Sequence, residues 1–272
     1  MAALSSAVPP RIPARRRRGV PFLSAYYVGL LTLLYLPLAI LVLFSVNANT
    51  SLSFPLRGLT LDWYGQLLEA DAVIRSARNS LVVALLSSVA ATALGTGVAL
   101  LVVRFQFRAK AVLLGLSVLP LIVPFIVLAV ALFVLFRAAH IDLSLWTIAI
   151  GHTVVALPYT VLIVLSRLIG FERNLEDAAM DLGASYPATL RLVVLPIIAP
   201  AMLAAALTAF TVSFDEFAIA LFLAGPDQTF PVYLYSQLRF ASRLPIMIAL
   251  GVLLMAGTLT LLFAADRIRR LR

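Results

Sequence analysis

Two adjacent carboxylates, Asp215 and Glu216, are the most informative residues chemically, because they interrupt an otherwise apolar run. A charged side chain near the centre of a bilayer costs at least about 2.5–3.5 kcal/mol, so it normally faces other helices or water. The pair could attract or gate a cation, or it could form a structural ion pair with a basic residue such as Arg239 or Arg243. Counting at 1.5 Å per residue puts about 28 Å of helix between Pro196 and Asp215, which places the pair in the outer half of a membrane or at its edge. Adjacent helical positions point about 100° apart, so only one of the two is expected to line a path.

Two further side chains in an apolar run, His152 and Tyr159, are candidates for the same path. A lone histidine in a helix bundle usually makes a packing hydrogen bond, and a tyrosine usually belongs to the aromatic belt at the membrane surface. Both alternatives stay open. The chain has no cysteine, and its two histidines are far apart in sequence, so we expect no disulfide and no metal site.

No motif for ATP hydrolysis or other catalysis is present. A phosphate-binding loop needs G-x-x-x-x-G-K-[ST], and the single lysine, Lys110, follows an alanine. The H-E-x-x-H and G-x-S-x-G patterns are missing as well. We therefore expect a chain that is not an enzyme and binds no cofactor, and whose energy comes from another polypeptide or from an ion gradient.

The composition is that of an integral membrane protein. Apolar residues make up 62% of the 272 residues and charged residues 12%, whereas a soluble domain has about 25% charged residues. So much apolar surface needs lipid as its solvent. The net charge of +9 does not indicate nucleic-acid binding, because the basic residues lie between long uncharged runs and form no basic face with exposed aromatics.

An all-α fold with about six membrane-spanning helices follows from the uncharged runs, each long enough to cross about 30 Å of hydrocarbon. The predicted spans are Ala25–Val46, Ser80–Val103, Ala111–Phe136, Leu143–Ser166, Pro196–Phe222 and Leu244–Ala265. Prolines inside these spans indicate kinks, which either serve packing or shape a pathway.

The distribution of basic residues predicts that both termini are cytoplasmic. Fifteen of the 21 basic residues then lie in inside segments and six in outside segments, as the positive-inside rule requires. We expect a basic cytoplasmic tail at 1–22, a transmembrane domain at 23–266 and a short cytoplasmic tail at 267–272. The cluster Arg15–Arg18 resembles the start of a signal peptide, but the uncharged run from Gly19 to Leu56 is too long for one.

The predicted cytoplasmic loop 171–196 carries a helical pattern. Asn174 can cap a helix with Asp177 three residues later, and Gly183 is typical of a helix end. Ser185 can cap a second short helix. We therefore predict two short helices with a glycine corner, either docking another protein or lying on the bilayer as a connector.

This loop resembles the EAA loop of binding-protein-dependent ABC importer permeases. The family pattern is Glu-Ala-Ala, three residues, Gly, nine residues, then Ile-x-Leu-Pro. The chain has Asp177-Ala178-Ala179, then Gly183, then Val193-Val194-Leu195-Pro196 at the same spacing. It departs from the pattern in Asp for the first Glu and Val for Ile.

Other segments are similar to the spermidine/putrescine-type branch of that family, and together they cover most of residues 60–265. They are Asn79-Ser80, Arg104-Phe105, 120–124, 152–159, 213–217 and 225–232.

The resemblance implies a type I ABC importer permease-like bundle in a bacterial inner membrane, working by alternating access. Its implied partners are two ATP-binding cassette subunits that use ATP and Mg, a second permease subunit or a second copy, a solute-binding protein and membrane lipid. The residues implied in coupling to the ATPase are Asp177, Ala178, Ala179, Gly183, Ala184, Ser185, Arg191, Leu195 and Pro196.

The branch implies a polyamine as the solute, and opines or phosphonates are alternatives. Asp215 and Glu216 favour a cation. Two other classes stay open: a secondary transporter that uses Asp215 or Glu216 as a proton site, and a membrane anchor for a soluble enzyme.

Overall fold

The computed structural model describes residues 21–50 and 52–270, and these residues form helices joined by short connections. An antiparallel bridge between Asn47 and Leu59 is the extended pairing found in this part of the chain. The α-helices are α1 Pro21–Ser45, α2 Asp62–Leu68, α3 Asp71–Arg104, α4 Lys110–Val118, α5 Phe125–Ala138, α6 Leu145–Ile169, α7 Asn174–Asp181, α8 Tyr186–Thr189, α9 Leu195–Asp215, α10 Ala218–Leu223, α11 Phe230–Leu238 and α12 Leu244–Arg270.

The chain divides into two compact units, the larger comprising Asp62–Met247. Its centre is the packing of α3, α6 and α9 against one another. Small residues allow α3 and α6 to approach closely, since a Cβ on Gly95 would lie 2.2 Å from Thr160 Oγ1. Thr160 Oγ1 also donates a hydrogen bond of 2.8 Å to the carbonyl oxygen of Ala91. Small residues and hydroxyl groups of this kind are the usual means by which membrane helices associate.

A second contact places the short helix α10 against α5 and α6. A Cβ on Gly151 would lie 2.5 Å from Ile219 Cγ2, so α10 packs directly on the backbone of α6. The buried side chains Ile148, Val155 and Leu223 complete this part of the core.

The connection between α10 and α11 is fastened to the beginning of α3. Asn79 Nδ2 donates to the carbonyl oxygen of Gln228 at 3.0 Å, and Ser80 Oγ accepts the backbone N–H of Phe230 at 2.8 Å. The Asn79-Ser80 pair singled out in the sequence therefore holds a connection 150 residues away along the chain.

Within residues 21–50 and 52–270, four helices are long and apolar enough to span a membrane, and a bent pair makes a fifth candidate. The four are Leu23–Ser45, Asp71–Arg104, Leu145–Ile169 and Tyr186–Asp215. The predicted third span is not straight: Lys110–Leu121 and Phe125–Ala138 meet at 109°. Pro124 stands at the bend, where its ring disfavours helical geometry at the preceding residue. The predicted sixth span lies in α12, where the apolar stretch among described residues, Ala241–Gly257, is shorter.

The fifth span differs from its prediction at both ends. It begins at Tyr186, because α8 continues through a π-helical turn, Leu190–Val194, into α9. Both predicted short helices are present, α7 and α8, but α8 is continuous with the fifth span. At its other end the helix stops at Asp215 and does not continue to Phe222.

The smaller unit comprises residues up to Leu61 and from Ile248 onward. In it, α1 exposes most of its apolar side chains, which suits contact with lipid. The segment after α1 folds back through Asn47, whose Oδ1 accepts the backbone N–H groups of Asn49 and Arg57, both at 3.3 Å. Residues 1–20 of the predicted N-terminal tail, and the last two of the C-terminal tail, lie outside the described residues.

Candidate functional site

The carboxylates Asp215 and Glu216 lie at a break between two helices. Asp215 is the last residue of α9, and Glu216 has an extended backbone with φ −71° and ψ 124°. The Glu216 carboxylate accepts the backbone N–H groups of Ile219 at 3.0 Å and Ala220 at 3.1 Å, at the start of α10. A carboxylate is stabilised by the free N–H groups and the positive end of a helix dipole. Glu216 therefore fixes the direction in which α10 leaves the break.

A buried polar network surrounds Glu216 and joins four helices. His152 Nε2 lies 3.2 Å from Glu216 Oε2, and His152 Nδ1 lies 2.8 Å from Ser213 Oγ. Ser87 Oγ on α3 lies 2.8 Å from the same Ser213 hydroxyl. All four side chains are buried, with His152 only 1% exposed. We call Ser87, His152, Ser213 and Glu216 the polar network.

The facing polar atoms of the network lie 2.8–3.2 Å apart. The Nε2 side of the His152 imidazole faces the Glu216 carboxylate, and its Nδ1 side faces the Ser213 hydroxyl. Ser213 can in turn accept a hydrogen bond from Ser87. A buried network in which each member has a partner holds a unique arrangement of its helices. His152 and Glu216 are thus tied to the frame of the larger unit.

The predicted pairing of the carboxylates with Arg239 or Arg243 is wrong for Glu216, whose carboxylate lies beside His152 instead. Arg239 Nε instead donates to the carbonyl oxygen of Ser236 in its own helix at 3.2 Å. The prediction assumed a continuous helix through both carboxylates. Because α9 ends between them, their directions are set by the break and not by a helical step of about 100°.

Asp215 differs from its neighbour in being exposed on the surface of the larger unit. It forms no salt bridge with any residue in the described ranges. The C-terminus of a helix carries a partial negative charge, so the Asp215 carboxylate adds to the field of the last carbonyl groups of α9. This end of α9 is therefore a favourable place for a cation. Tyr159, on α6, is half-buried.

The loop 171–196 presents the residues expected to couple to an ATPase. Gly183 ends α7 with φ +89°, a conformation that favours glycine. The N–H of Gly183 bonds to the carbonyl of Met180 at 2.9 Å and that of Ala184 to the carbonyl of Ala179 at 3.1 Å, as in a Schellman motif. The motif turns the chain sharply between α7 and α8.

The predicted caps of the loop helices are not formed by side chains. Arg173, and not Asn174, occupies the N-cap position of α7, and no side-chain hydrogen bond caps it. Ser185 does occupy the N-cap position of α8, again without a capping side-chain bond. The expected capping-box partner Asp177 is exposed instead.

Most of the residues expected in coupling are on the surface of the larger unit. Asp177, Ala178, Gly183, Ser185, Arg191 and Pro196 are exposed, and Ala179, Ala184 and Leu195 are half-buried. Of the large apolar side chains that the same loop exposes, two stand out, Leu182 exposed by 90% and Leu192 by 71%. Sequence reasoning missed these two, although an apolar residue directly before the glycine stop was a usable signal.

Sequence reasoning also missed a buried ion pair between Arg104, at the end of α3, and Glu176, in the first turn of α7. In the sequence each looks like an ordinary charge at a helix end, and 71 residues lie between them. The structure thus forms two polar centres in the larger unit, the polar network at the helix break and this pair beside the loop.

Comparison with known proteins agrees with the EAA-like loop. The profile of the binding-protein-dependent transport system inner membrane component family matches residues 91–271. The spermidine/putrescine transport system permease protein PotC of Escherichia coli K12 is 33% identical over 250 residues, which cover 92% of each chain. The putrescine transport system permease protein PotI of the same strain is 35% identical over 216 residues, covering 76% of each chain.

The fold has a counterpart among solved structures. A chain of a bacterial ABC transporter involved in the import of the acidic polysaccharide alginate superposes with a TM-score of 0.71. The match covers 95% of this chain and 99% of that one at 15% sequence identity, so it speaks for the fold alone. With the family profile spanning most of the chain, the protein belongs to the binding-protein-dependent transport system inner membrane components, the permease subunits of ABC importers.

Proposed function

We propose that this permease imports a polyamine of the spermidine or putrescine class, with Asp215 as a cation-attracting residue of its path. The observation that carries the proposal is the contrast at the helix break: Glu216 is buried in the polar network, whereas Asp215 is exposed at the negative end of α9. A helix break inside a membrane is a usual place for an ion or solute site. The names of the curated relatives support the same solute class.

The charge of the site discriminates between the solute classes. A polyamine carries protonated amines, which an exposed carboxylate beside free helix carbonyls attracts. A phosphonate would be repelled at the same place. One carboxylate cannot neutralise a polycation, so we infer that a second permease chain supplies further groups across the path.

Energy for the transport comes from partner subunits in this proposal. Two ATP-binding cassette subunits that bind ATP and Mg dock on loop 171–196, which faces the cytoplasm together with both termini. The exposed Leu182 and Leu192 support docking, because apolar side chains left exposed on a loop suit a protein partner. A solute-binding protein delivers the polyamine on the opposite side, and closure of the ATPase pair drives the change of access.

Proteoliposomes that contain the complete complex test the proposal. Uptake of radiolabelled putrescine or spermidine is expected only with ATP and with the solute-loaded binding protein. Asp215→Asn is expected to lower uptake about tenfold, the effect of losing about 1.4 kcal/mol of charge attraction. Asp142→Asn is the matched control, since this exposed residue lies in the connection between α5 and α6 and loses the same charge.

Two results would count against the proposal. Normal uptake by Asp215→Asn at normal membrane abundance would remove Asp215 from the path. Uptake by this chain alone, driven by a pH gradient without any ATPase subunit, would replace the proposal with the secondary-transporter alternative.

A further inference from the structure

The end of α3 and the loop 171–196 are joined by a buried ion pair. The guanidinium of Arg104 pairs with the carboxylate of Glu176, and neither side chain is more than 9% exposed. The same guanidinium lies over the ring of Phe171, 5.2 Å from its centroid. Arg104 is therefore enclosed between the beginning of the loop and the first turn of α7.

Two further contacts tie the same helix end to the loop. Arg173 Nη2 donates to the carbonyl oxygen of Val103 at 3.4 Å. The ring of Phe105 meets the ring of Tyr186 edge-on, with centroids 6.0 Å apart. The last residues of α3 thus contact the loop before α7, in α7 and at the start of α8. We call this set of contacts the α3 clasp.

The electrostatics of the two helix ends favour the ion pair. Arg104 is in the last turn of α3, where the helix dipole stabilises a positive charge. Glu176 is in the first turn of α7, where it stabilises a negative charge. An exposed ion pair contributes little, but removal of one partner from a buried pair leaves an uncompensated charge. Among the contacts of the α3 clasp, the ion pair is therefore the one whose disruption is expected to cost most.

The helix α3 leads from the clasp to the helix break. It has 34 residues and is about 51 Å long at 1.5 Å per residue. Ser87 lies about 26 Å along α3 from Arg104 and contacts Ser213, two residues before Asp215. One rigid helix therefore touches both the loop and the polar network.

The loop is also connected to the break through its own chain, but that route is interrupted. The helix Tyr186–Asp215 contains the π-helical turn Leu190–Val194 directly after the loop. Pro196 follows, and a proline donates no backbone hydrogen bond. A π turn within an α-helix is a usual place for bending. Movement of α7 is thus less firmly transmitted along this route than through α3.

We propose that Arg104 and Glu176 are positioning residues that make α7 and α3 move as one body, so that displacement of the loop reaches Ser87 and the helix break. The inference rests on the proposed function, because it assigns the displacement to ATP-driven partner subunits. It adds that energy conversion depends on a contact inside this chain and not only on docking of the loop.

The test compares uptake with ATP hydrolysis in the same proteoliposomes. Arg104→Met combined with Glu176→Leu removes both charges, and such apolar replacement of a buried pair is often neutral for folding. We expect this double variant to assemble and hydrolyse ATP, but to import roughly two- to thirtyfold less solute per ATP, the range of coupling changes along such networks. The charge swap R104E/E176R is expected to recover part of the wild-type ratio of imported solute to hydrolysed ATP. Arg108→Ala is the matched control, because Arg108 is exposed four residues further on.

A second readout needs no solute and therefore separates this inference from the proposed function. The chain has no cysteine, so spin labels can be placed at Ile74→Cys on α3 and Asp181→Cys on α7, both exposed. With Arg104 and Glu176 unchanged, we expect the distance between the two labels to have the same narrow distribution with and without ATP. With R104M/E176L the distribution is expected to shift or broaden on ATP addition.

Two outcomes would overturn the inference. One is a wild-type ratio of imported solute to hydrolysed ATP in R104M/E176L, and the other is an ATP-dependent change of the distance between the labels in the protein that keeps Arg104 and Glu176. Absence of polyamine uptake by the wild-type complex would instead overturn the proposed function, while the label distances would still decide on the α3 clasp.

Discussion

The helix break at Asp215 and Glu216 and the loop 171–196 are organised in opposite ways. At the break, the polar side chains of His152, Ser213 and Glu216 are buried and partnered, and one carboxylate, Asp215, is left on the surface. In the loop most side chains are exposed, and one charge, Glu176, is buried. In each region the exception has a distinct role: Glu176 contacts Arg104 of α3, and Asp215 is the residue that we propose attracts the solute. The two carboxylates of the break and the carboxylate of the loop therefore have to be judged by their surroundings and not by their position in the sequence alone.

The largest effect is expected from removing the carboxylate that is buried with a partner, Glu216. Glu216→Ala leaves His152 and the first N–H groups of α10 without their acceptor, and loss of one partner of a buried pair costs about 3–5 kcal/mol. We expect most of the protein to be lost from the membrane fraction, as measured by immunoblot and by thermal unfolding in detergent. Asp215→Ala is the control and is expected to keep normal abundance. If both variants lost the same amount of protein from the membrane fraction, Glu216 and Asp215 would not differ in their structural role.

A smaller effect is expected from overpacking beside the same break. In Gly151→Ala the new Cβ would lie 2.5 Å from Ile219 Cγ2, and such overpacking costs about 1–3 kcal/mol. The unfolding temperature in detergent should fall accordingly. Gly97→Ala on α3 is the control, because no atom lies within 4 Å of its Cβ position. A stable Gly151→Ala would show that α10 is free to move away from α6.

The corresponding change in the loop acts through backbone strain and not through packing. Gly183 has φ +89° and open space around its Cβ position, so Gly183→Val costs about 1–2 kcal/mol of local conformational energy. We expect ATP-driven uptake to fall, while the unfolding temperature falls less than in Gly151→Ala because the strain is confined to the loop backbone. Gly183→Asn, which tolerates this conformation better, should keep more of the activity. Full-speed import by Gly183→Val in an assembled complex would contradict a role of the loop in coupling.

The smallest effect on stability is expected at Leu182, which is 90% exposed. Leu182→Asn should change the unfolding free energy by no more than about 0.5 kcal/mol, as is usual for surface positions. Co-purification of the ATPase subunit should nevertheless weaken if this side chain is part of the docking surface. Unchanged co-purification would show that the exposed leucine has another role.

The sequence was sufficient for the family and for the location of both regions, but not for their contacts. The spacing of Asp177, Gly183 and Pro196 is local, so it can be recognised without a structure. The helix end at Asp215 was missed because apolar residues continue to Phe222, and the break depends on capping of α10 by Glu216.

Contacts between residues that are far apart in the chain could not be predicted from the sequence either. His152 and Glu216 come from different helices, and so do Arg104 and Glu176. The bend of 109° before Phe125 was signalled by Pro120 and Pro124, but its angle depends on packing. Proline predicts where a helix is interrupted and does not give the direction in which the chain leaves.

The π-helical turn Leu190–Val194 determines how the residues of α9 that follow it are rotated about the helix axis. Such a turn accommodates one additional residue, and one residue is worth about 100° of rotation around a helix axis. Deleting one residue there would rotate the rest of α9 by about that angle and would move Asp215 to another side of the helix. The direction in which the Asp215 carboxylate points around the helix axis is thus set about 30 Å away from it, at the N-terminal end of the same continuous helix.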